Sequence, residues 1–266
     1  MYNQTFYFNE ESYPAGCIIS SSYIYADYRL INQRKTWSQA QSYCREMGGE
    51  LSTVSGIDDM MRLNEATGVT GVTSEIWIGL KEGGEELWLW SVGKTSSGQG
   101  VATYTQWAIP PNSTHHCGSF TEHGEWLSAW CGTELPFICQ NGFDVTVVFQ
   151  NKTWTEAQRY CRSHHLDLVS VLDSTQNLAL WDVLSQSDLS APLYWMGLFR
   201  DNWKWSDNSN NSFRYWAPGQ PNNDGPCAFL SDNTDDAYCD SKRPETKSIF
   251  FSIKPFLAQK KSILMY

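Results

Sequence analysis

One stretch of this chain occurs twice. KTWSQAQSYC at 35–44 returns as KTWTEAQRYC at 152–161, and the same displacement of 117 positions carries Leu51 to Leu168 and Val54 to Val171. Later landmarks keep their order: WIGL at 77 and WMGL at 195, LWLWS ending at Ser91 and NWKWS ending at Ser206, Trp107 and Trp216, Cys117 and Cys227, Cys131 and Cys239. A repeat of this length sets the folding unit before any other reading. The total of 266 residues agrees, since at about 150 residues per domain it holds one large domain or two small ones. The boundaries that follow are an irregular segment 1–22, a first unit 23–141, a second unit 143–244 and a divergent tail 245–266.

Within each unit the pattern changes from helical to extended. Thr36-x-x-Gln39 and Thr153-x-x-Glu156 read as capping boxes, in which hydroxyl and amide or carboxyl satisfy orphan amides at a helix start. Trp37, Ala40 and Cys44, and likewise Trp154, Ala157 and Cys161, recur at helical spacing and predict an indole and a thiol on the buried stripe. A second helix is expected near 57–66 and near 174–186, followed by short aromatic runs broken by Gly, Asn, Asp and Ser that read as strands and loops. The unit is α+β.

Composition narrows the function. Hydrophobic residues at 41% with charged residues at 18% exclude a disordered chain. A net charge of -10 without a Lys/Arg cluster argues against nucleic acid, and no apolar run is long enough to span a bilayer. Eight cysteines without a CxxC pair point to disulfides and an oxidising compartment rather than to zinc. Sequons at Asn3, Asn112, Asn151 and Asn210 agree with an extracellular or cell-surface location, although no signal peptide is visible at Met1–Ala15. No G-x-S-x-G, H-E-x-x-H or phosphate loop is present, so catalysis is not expected.

The capped helix with its Cys, the W-I/M-G-L and W-x-W-S runs, the Trp-then-Pro-Asn loop and the closing LPFIC together resemble a C-type lectin-like domain. In tandem they are similar to fish members of the macrophage mannose receptor and secretory phospholipase receptor group. The resemblance implies two helices flanking small antiparallel sheets and a long ligand loop stapled by a disulfide. It also implies the pairings Cys44–Cys139, Cys117–Cys131 and Cys227–Cys239.

Cys161 is then without a partner, because the second unit reads RPETK where the first ends in LPFIC, so the usual last strand and its cysteine are missing. Losing such a bridge typically costs about 2 to 5 kcal/mol of a domain's total of about 5 to 15. Either a frame or splice difference has replaced the authentic end, or Ser248–Ile253 (SIFFSI) supplies a substitute strand without the disulfide. Cys17 belongs to leader sequence or bridges to Cys161 or another chain.

The resemblance further implies one calcium ion, held by oxygens that also bind two sugar hydroxyls. Calcium takes six to eight hard oxygens at about 2.3 to 2.6 Å, so several Asp, Glu or Asn side chains must converge. In the first unit the ligand positions read Pro110-Pro111-Asn112, His115 and Trp126-Leu127-Ser128, a poor set. In the second they read Gln220-Pro221-Asn222, Asp224 displaced by one from Gly225, and Thr234-Asp235-Asp236. The expected metal ligands are Gln220, Asn222, Asp224, Asp235 and Asp236, with Gln220, Asn222, Asp235 and Asp236 also contacting carbohydrate. Ca2+ is thus confined to the second unit if it binds at all. Pro221 is expected to be cis, and the pattern allows the same at Pro111. Trp77, Trp90, Trp195 and Trp205 read as core, while Tyr215 and Phe229 are candidate sugar-stacking surfaces. The partners implied are glycans or glycoproteins; the alternative is a receptor ectodomain fragment that binds protein without calcium.

Overall fold

The computed structural model describes residues 27–70, 75–92, 100–142, 144–164, 167–187, 190–217, 219–222, 224–231 and 238–254. Helix α1 (Trp37–Glu46) starts at Thr36, whose hydroxyl accepts from Gln39 N while Gln39 Oε1 accepts from Thr36 N. Helix α3 (Trp154–His164) repeats the device with Thr153 and Glu156. The bonds from Thr153 hold the Glu156 carboxyl below its ordinary range. Helices α2 (Ile57–Thr70) and α4 (Ser174–Ser185) follow, the latter capped by Asp173 on Gln176 N. Trp37, Ala40 and Cys44 on α1, and Trp154, Ala157 and Cys161 on α3, are buried as their spacing predicts.

The strands are β1 (Asp27–Lys35), β2 (Glu50–Leu51), β3 (Ile76–Trp90), β4 (Cys117–Thr121), β5 (Trp126–Ala129), β6 (Leu135–Asn141), β7 (Asp144–Lys152), β8 (Asp167–Leu168), β9 (Leu193–Trp205), β10 (Cys227–Ser231), β11 (Tyr238–Lys242) and β12 (Ser248–Lys254). Two of them decide the architecture. The WIGL and LWLW runs lie on one continuous strand, β3, instead of folding back on each other. At its first end Ile76 and Trp77 lie antiparallel to β10 and parallel to β12; at its second end Leu87–Trp90 pair with Leu198–Asp201 of β9. The first end of β9 pairs with β4 and β6, and its Trp203 and Trp205 return to Glu82 and Leu80.

Each repeat is therefore shared between two modules. The first contains β1, α1, β2, α2 and the start of β3 from the first repeat, completed by β10, β11 and β12 from beyond residue 226. The second contains β7, α3, β8, α4 and the start of β9, completed by β4, β5 and β6. Their cores are mixed in the same way: Trp203 and Trp205 pack with Val54, Leu63 and Phe251, and Trp90, Phe120 and Trp126 pack with Leu180 and Tyr194. The units 23–141 and 143–244 follow the sequence repeat, whereas the strand pairing crosses between them.

Equivalent polar contacts hold the two modules. Trp37 Nε1 donates to Ile78 O at 2.9 Å, and Trp154 Nε1 to Met196 O at 2.8 Å. Arg45 bonds Glu50 and Ser206 O, while Ser206 Oγ donates to the same Glu50. Arg162 bonds Asp167 and Ser91 O, while Ser91 Oγ donates to Asp167 at 2.6 Å. In both networks the serine comes from the opposite repeat. The second network is buried, its ion-pair side chains 2% and 4% exposed, whereas Arg45 is 54% exposed.

The second unit does not lack a last strand. β12 pairs with β1, β2 and β3, with Phe250 and Phe251 buried, so SIFFSI is the substitute strand and residues 248–254 belong to the fold instead of a divergent tail. Ser252 lies opposite Leu51 as Cys139 lies opposite Leu168, so only the cysteine is missing.

The disulfides change accordingly. Cys117 is bonded to Cys131. Cys139 is bonded to Cys161, not to Cys44, because β6 packs beneath α3. Cys44 is a buried free thiol that meets Ser252. Cys227 is also free and buried, its thiol pushed up to about 12 by burial, so the expected Cys227–Cys239 bridge is not formed. The register gives the reason: Lys242 stands opposite Cys227 as Ala129 stands opposite Cys117, which puts Pro244 in the place of Cys131. The same substitution is visible where Trp37 N donates to Pro244 O and Trp154 N donates to Cys131 O. Cys17 lies outside the described residues.

Candidate functional site

A single peptide among the described residues is cis, Gln220–Pro221; the Pro110–Pro111 bond is not. The Gln220 loop runs against β11. Ser241 Oγ lies 3.0 Å from both Gln220 Oε1 and Asn222 Oδ1, so two amide oxygens converge on one hydroxyl. Asn222 N also donates to Gln220 Oε1, and Asp224 N to Asn222 Oδ1, at 3.1 and 3.0 Å. Asn222 Nδ2 then donates to Asp224 Oδ2 at 2.7 Å, which turns the Asn222 amide oxygen toward Ser241 and fixes the carboxylate beside it. Ser241 is buried, while Asn222 and Asp224 face solvent.

The displacement of the carboxylate to Asp224 has a steric cause. A Cβ at Gly225 would overlap the backbone of Lys242 and Arg243, so no side chain fits at that position and the acid stands one residue earlier.

The first repeat carries a counterpart with different chemistry. Asn112 N donates to Ser128 Oγ at 2.9 Å, and Ser128 stands opposite Gly118 as Ser241 stands opposite Ala228. The Asn112 amide oxygen accepts from Thr114 N and Thr114 Oγ, both at 2.9 Å. Arg200 Nη2 donates to the carbonyls of Asn112, Ser113 and His115, so a guanidinium stitches this loop. His115 Nδ1 is 2.9 Å from Ser128 O. The Asn112 amide oxygen is used up internally and a guanidinium lies on the loop carbonyls, which disfavours a cation.

Of the expected residues, Gln220, Asn222 and Asp224 are brought together. Thr234, Asp235 and Asp236 lie outside the described residues. The register does correct which residues hold the strand position assigned to them. Cys239, Asp240 and Ser241 stand opposite Leu230, Phe229 and Ala228, as Trp126, Leu127 and Ser128 stand opposite Phe120, Ser119 and Gly118. Counting back from Cys239 placed the triplet too early, because more residues separate β10 from β11 than separate β4 from β5. Ser241 and Arg200 were missed; the Ser128 already visible in the first triplet was the one signal pointing to Ser241.

The aromatics divide plainly. Trp77, Trp90, Trp195 and Trp205 are core, each no more than 1% exposed. Phe229 is buried too, in edge-on contact with Trp77, and is no sugar platform. Tyr215 is half-buried, stacked on Phe213 with the Arg162 guanidinium above it.

The set fits calcium in part. Gln220 Oε1, Asn222 Oδ1, Ser241 Oγ and the Asp224 carboxylate supply hard oxygens in one place, fewer than the six to eight such an ion takes, with one formal charge. Among the described residues no group of three or more His, Cys, Asp or Glu side chains converges.

A mixed fold of capped helices under a loop with a cis Gln-Pro-Asn triplet defines a lectin-type binding domain, and the chain belongs to the C-type lectin domain family. The family model for the lectin C-type domain matches residues 33–141 and 150–245. Human secretory phospholipase A2 receptor is 25% identical over 247 residues, covering 75% of this chain and 16% of that receptor. Human C-type mannose receptor 2 is 26% identical over 230 residues, covering 71% and 15%. The chain thus spans about a sixth of the length of the curated relatives it matches. Among solved structures, human lithostathine is 14% identical with a TM-score of 0.41, covering 90% of this chain and 99% of that one. The C-type lectin domain of murine dendritic cell inhibitory receptor 2, solved with an N-glycan, is 10% identical with a TM-score of 0.37, covering 90% and 99%. No helix among the described residues is long and apolar enough to cross a membrane.

Proposed function

We propose that this chain is a non-catalytic, extracellular glycan- or glycoprotein-binding segment of a receptor, with its carbohydrate site on the Gln220–Asp224 loop and β11. The observation that carries this reading is the convergence of Gln220 Oε1 and Asn222 Oδ1 on Ser241 Oγ beside the Asp224 carboxylate. A calcium ion there would be held by Gln220, Asn222 and Asp224 beside the Ser241 hydroxyl, and when bound it supplies an electrophile for two neighbouring sugar hydroxyls. The chain's own part is orientation: the Asn222–Asp224 bond points the Asn222 amide oxygen inward, and Ser241 meets it and Gln220 Oε1. Asn222→Ala should abolish calcium-dependent binding on a glycan array while leaving the circular dichroism spectrum unchanged. Binding unaltered by both Asn222→Ala and Asp224→Ala would overturn the assignment.

A second reading is favoured at the first-repeat loop, where Arg200 holds the carbonyls of 112, 113 and 115 and where Ile109 and Trp130 stand 64% and 67% exposed. That loop suits a protein surface without a metal. Its signature is binding that survives chelation and is lost with Trp130→Ala.

A further inference from the structure

The loop that carries Gln220, Asn222 and Asp224 is reached through a stem, residues 213–217, that lies between the two modules. Its rings face the first module: Phe213 is buried in the core with Val54 and Phe251, and Trp216 packs edge-on to Trp203 at 4.8 Å. Its carbonyls face the second. Arg162 Nη1 donates to Arg214 O at 2.6 Å and Arg159 Nη2 to Trp216 O at 3.0 Å, both from helix α3. The Arg162 guanidinium also lies over the Phe213 ring, 4.4 Å from its centre.

The two arginines differ in what else they do. Arg162 is tied to Asp167 and Ser91 O, so its bond to the stem is one of several in a buried network. Arg159 is half-buried and meets the stem where it turns toward the site. Directly after Trp216 the chain bends: Gln220 N donates to Ala217 O at 3.0 Å, with Gly219 at φ 77°, a left-handed position that suits glycine. Beyond this bend stand the Gln220 and Asn222 amide oxygens that meet Ser241. A guanidinium on the Trp216 carbonyl therefore fixes the point from which the bend starts.

The repeat supplies a control. The same displacement of 117 positions makes Arg45 the counterpart of Arg162 and Ser42, an exposed residue without a guanidinium, the counterpart of Arg159. The loop of that copy is the one with a poor oxygen set, and it is stitched instead by Arg200 of β9. Of the two repeats, the one whose loop offers oxygens is the one whose helix carries the extra arginine.

We propose that Arg159 is a positioning residue of the carbohydrate site, acting through the loop stem and not on the ligand. It ties a stem packed in the first module to a helix of the second, so that Gln220, Asn222 and Asp224 are in place before a ligand arrives. The inference rests on the Gln220–Asp224 loop being the carbohydrate site. A loop ordered in advance loses less conformational entropy on binding, which strengthens the complex without adding a contact.

The test compares the full secreted chain with Arg159→Met, which keeps the aliphatic stem and removes the donors, and with Arg159→Lys, which restores one charged donor. Amide hydrogen exchange is read without calcium at Gln220, Asn222 and Asp224. Val169 and Gly197 are the folding reference, their amides bonded to Ile138 O and Val169 O. Calcium-dependent glycan binding is then titrated on the same chains. Arg159→Met should raise the loop rates about tenfold and weaken binding by about the same factor at an unchanged saturation level, the loss of one charge-assisted hydrogen bond felt at the loop. The reference rates should not move, and Arg159→Lys should lie between the two. Arg159→Ala serves if the methionine variant is not secreted. Loop rates equal to wild type, or raised rates with undiminished binding, overturn the inference. Raised loop rates beside a wild-type chain that binds no glycan uphold the clamp and overturn the reading of the site instead.

Discussion

The two modules are built to one plan and held to different standards. Beneath α3 lie a disulfide, Cys139–Cys161, and an ion pair sealed from water, Arg162–Asp167; beneath α1 the corresponding places hold a thiol facing a hydroxyl and an ion pair open to solvent. The packing is otherwise alike, down to the indole bonds of Trp37 and Trp154. Repetition thus preserved the apolar frame, which many residues share, and let the single-residue fasteners drift in one copy. The α3 module should be the rigid one and the α1 module the one that opens first.

The sharpest way to break that contrast is at the arginines. Arg162→Ala leaves Asp167 buried without its cation and should cost about 3 to 5 kcal/mol, whereas Arg45→Ala, at an exposed pair, should cost no more than about 1; urea unfolding of both variants checks the difference. Cys139→Ser removes the bridge and should cost about 2 to 5 kcal/mol, read as a fall in Tm. Ser252→Cys should narrow the contrast from the other side, supplying the missing strand thiol and gaining about 2 to 4 kcal/mol.

The smallest effect is expected at the caps. Thr36→Ala and Thr153→Ala should each cost about 1 kcal/mol, and the second should also return the Glu156 carboxyl toward its ordinary range, since Thr153 is what lowers it. A carboxylate depressed in the folded state stabilises at neutral pH and loses that contribution as pH falls through its folded value. NMR titration of Glu156 in both chains would show the upward shift, and an unchanged midpoint would count against it.

The helices, their caps, the buried Trp-Ala-Cys stripes and the cis Gln220–Pro221 bond were legible because each is decided within a few residues. Strand partners were not, for a reason the repeat itself creates: Phe137 and Phe250 offer nearly the same face to Trp195 and Trp77, so sequence pattern cannot say which strand goes where. The site divided likewise. Gln220, Asn222 and Asp224 lie within five residues and were readable as a group. Ser241 joins them only through the β10–β11 register, which the greater residue separation of those strands shifts away from the count based on Cys239. The substitute strand was readable as an apolar run, but its place opposite Leu51 was not.

The crossing of strands between modules also bears on how the molecule would respond to a protease. The exposed hairpin between β6 and β7, turning at Gly142 with φ 66°, joins the two repeats and offers a natural point of cleavage. A cut there would give two fragments, each with strands in both modules, and Cys139 and Cys161 would lie on opposite sides of the nick. Such a molecule would run as one species without reductant and as two with it. Severing the chain between its two repeats would leave the protein in one piece.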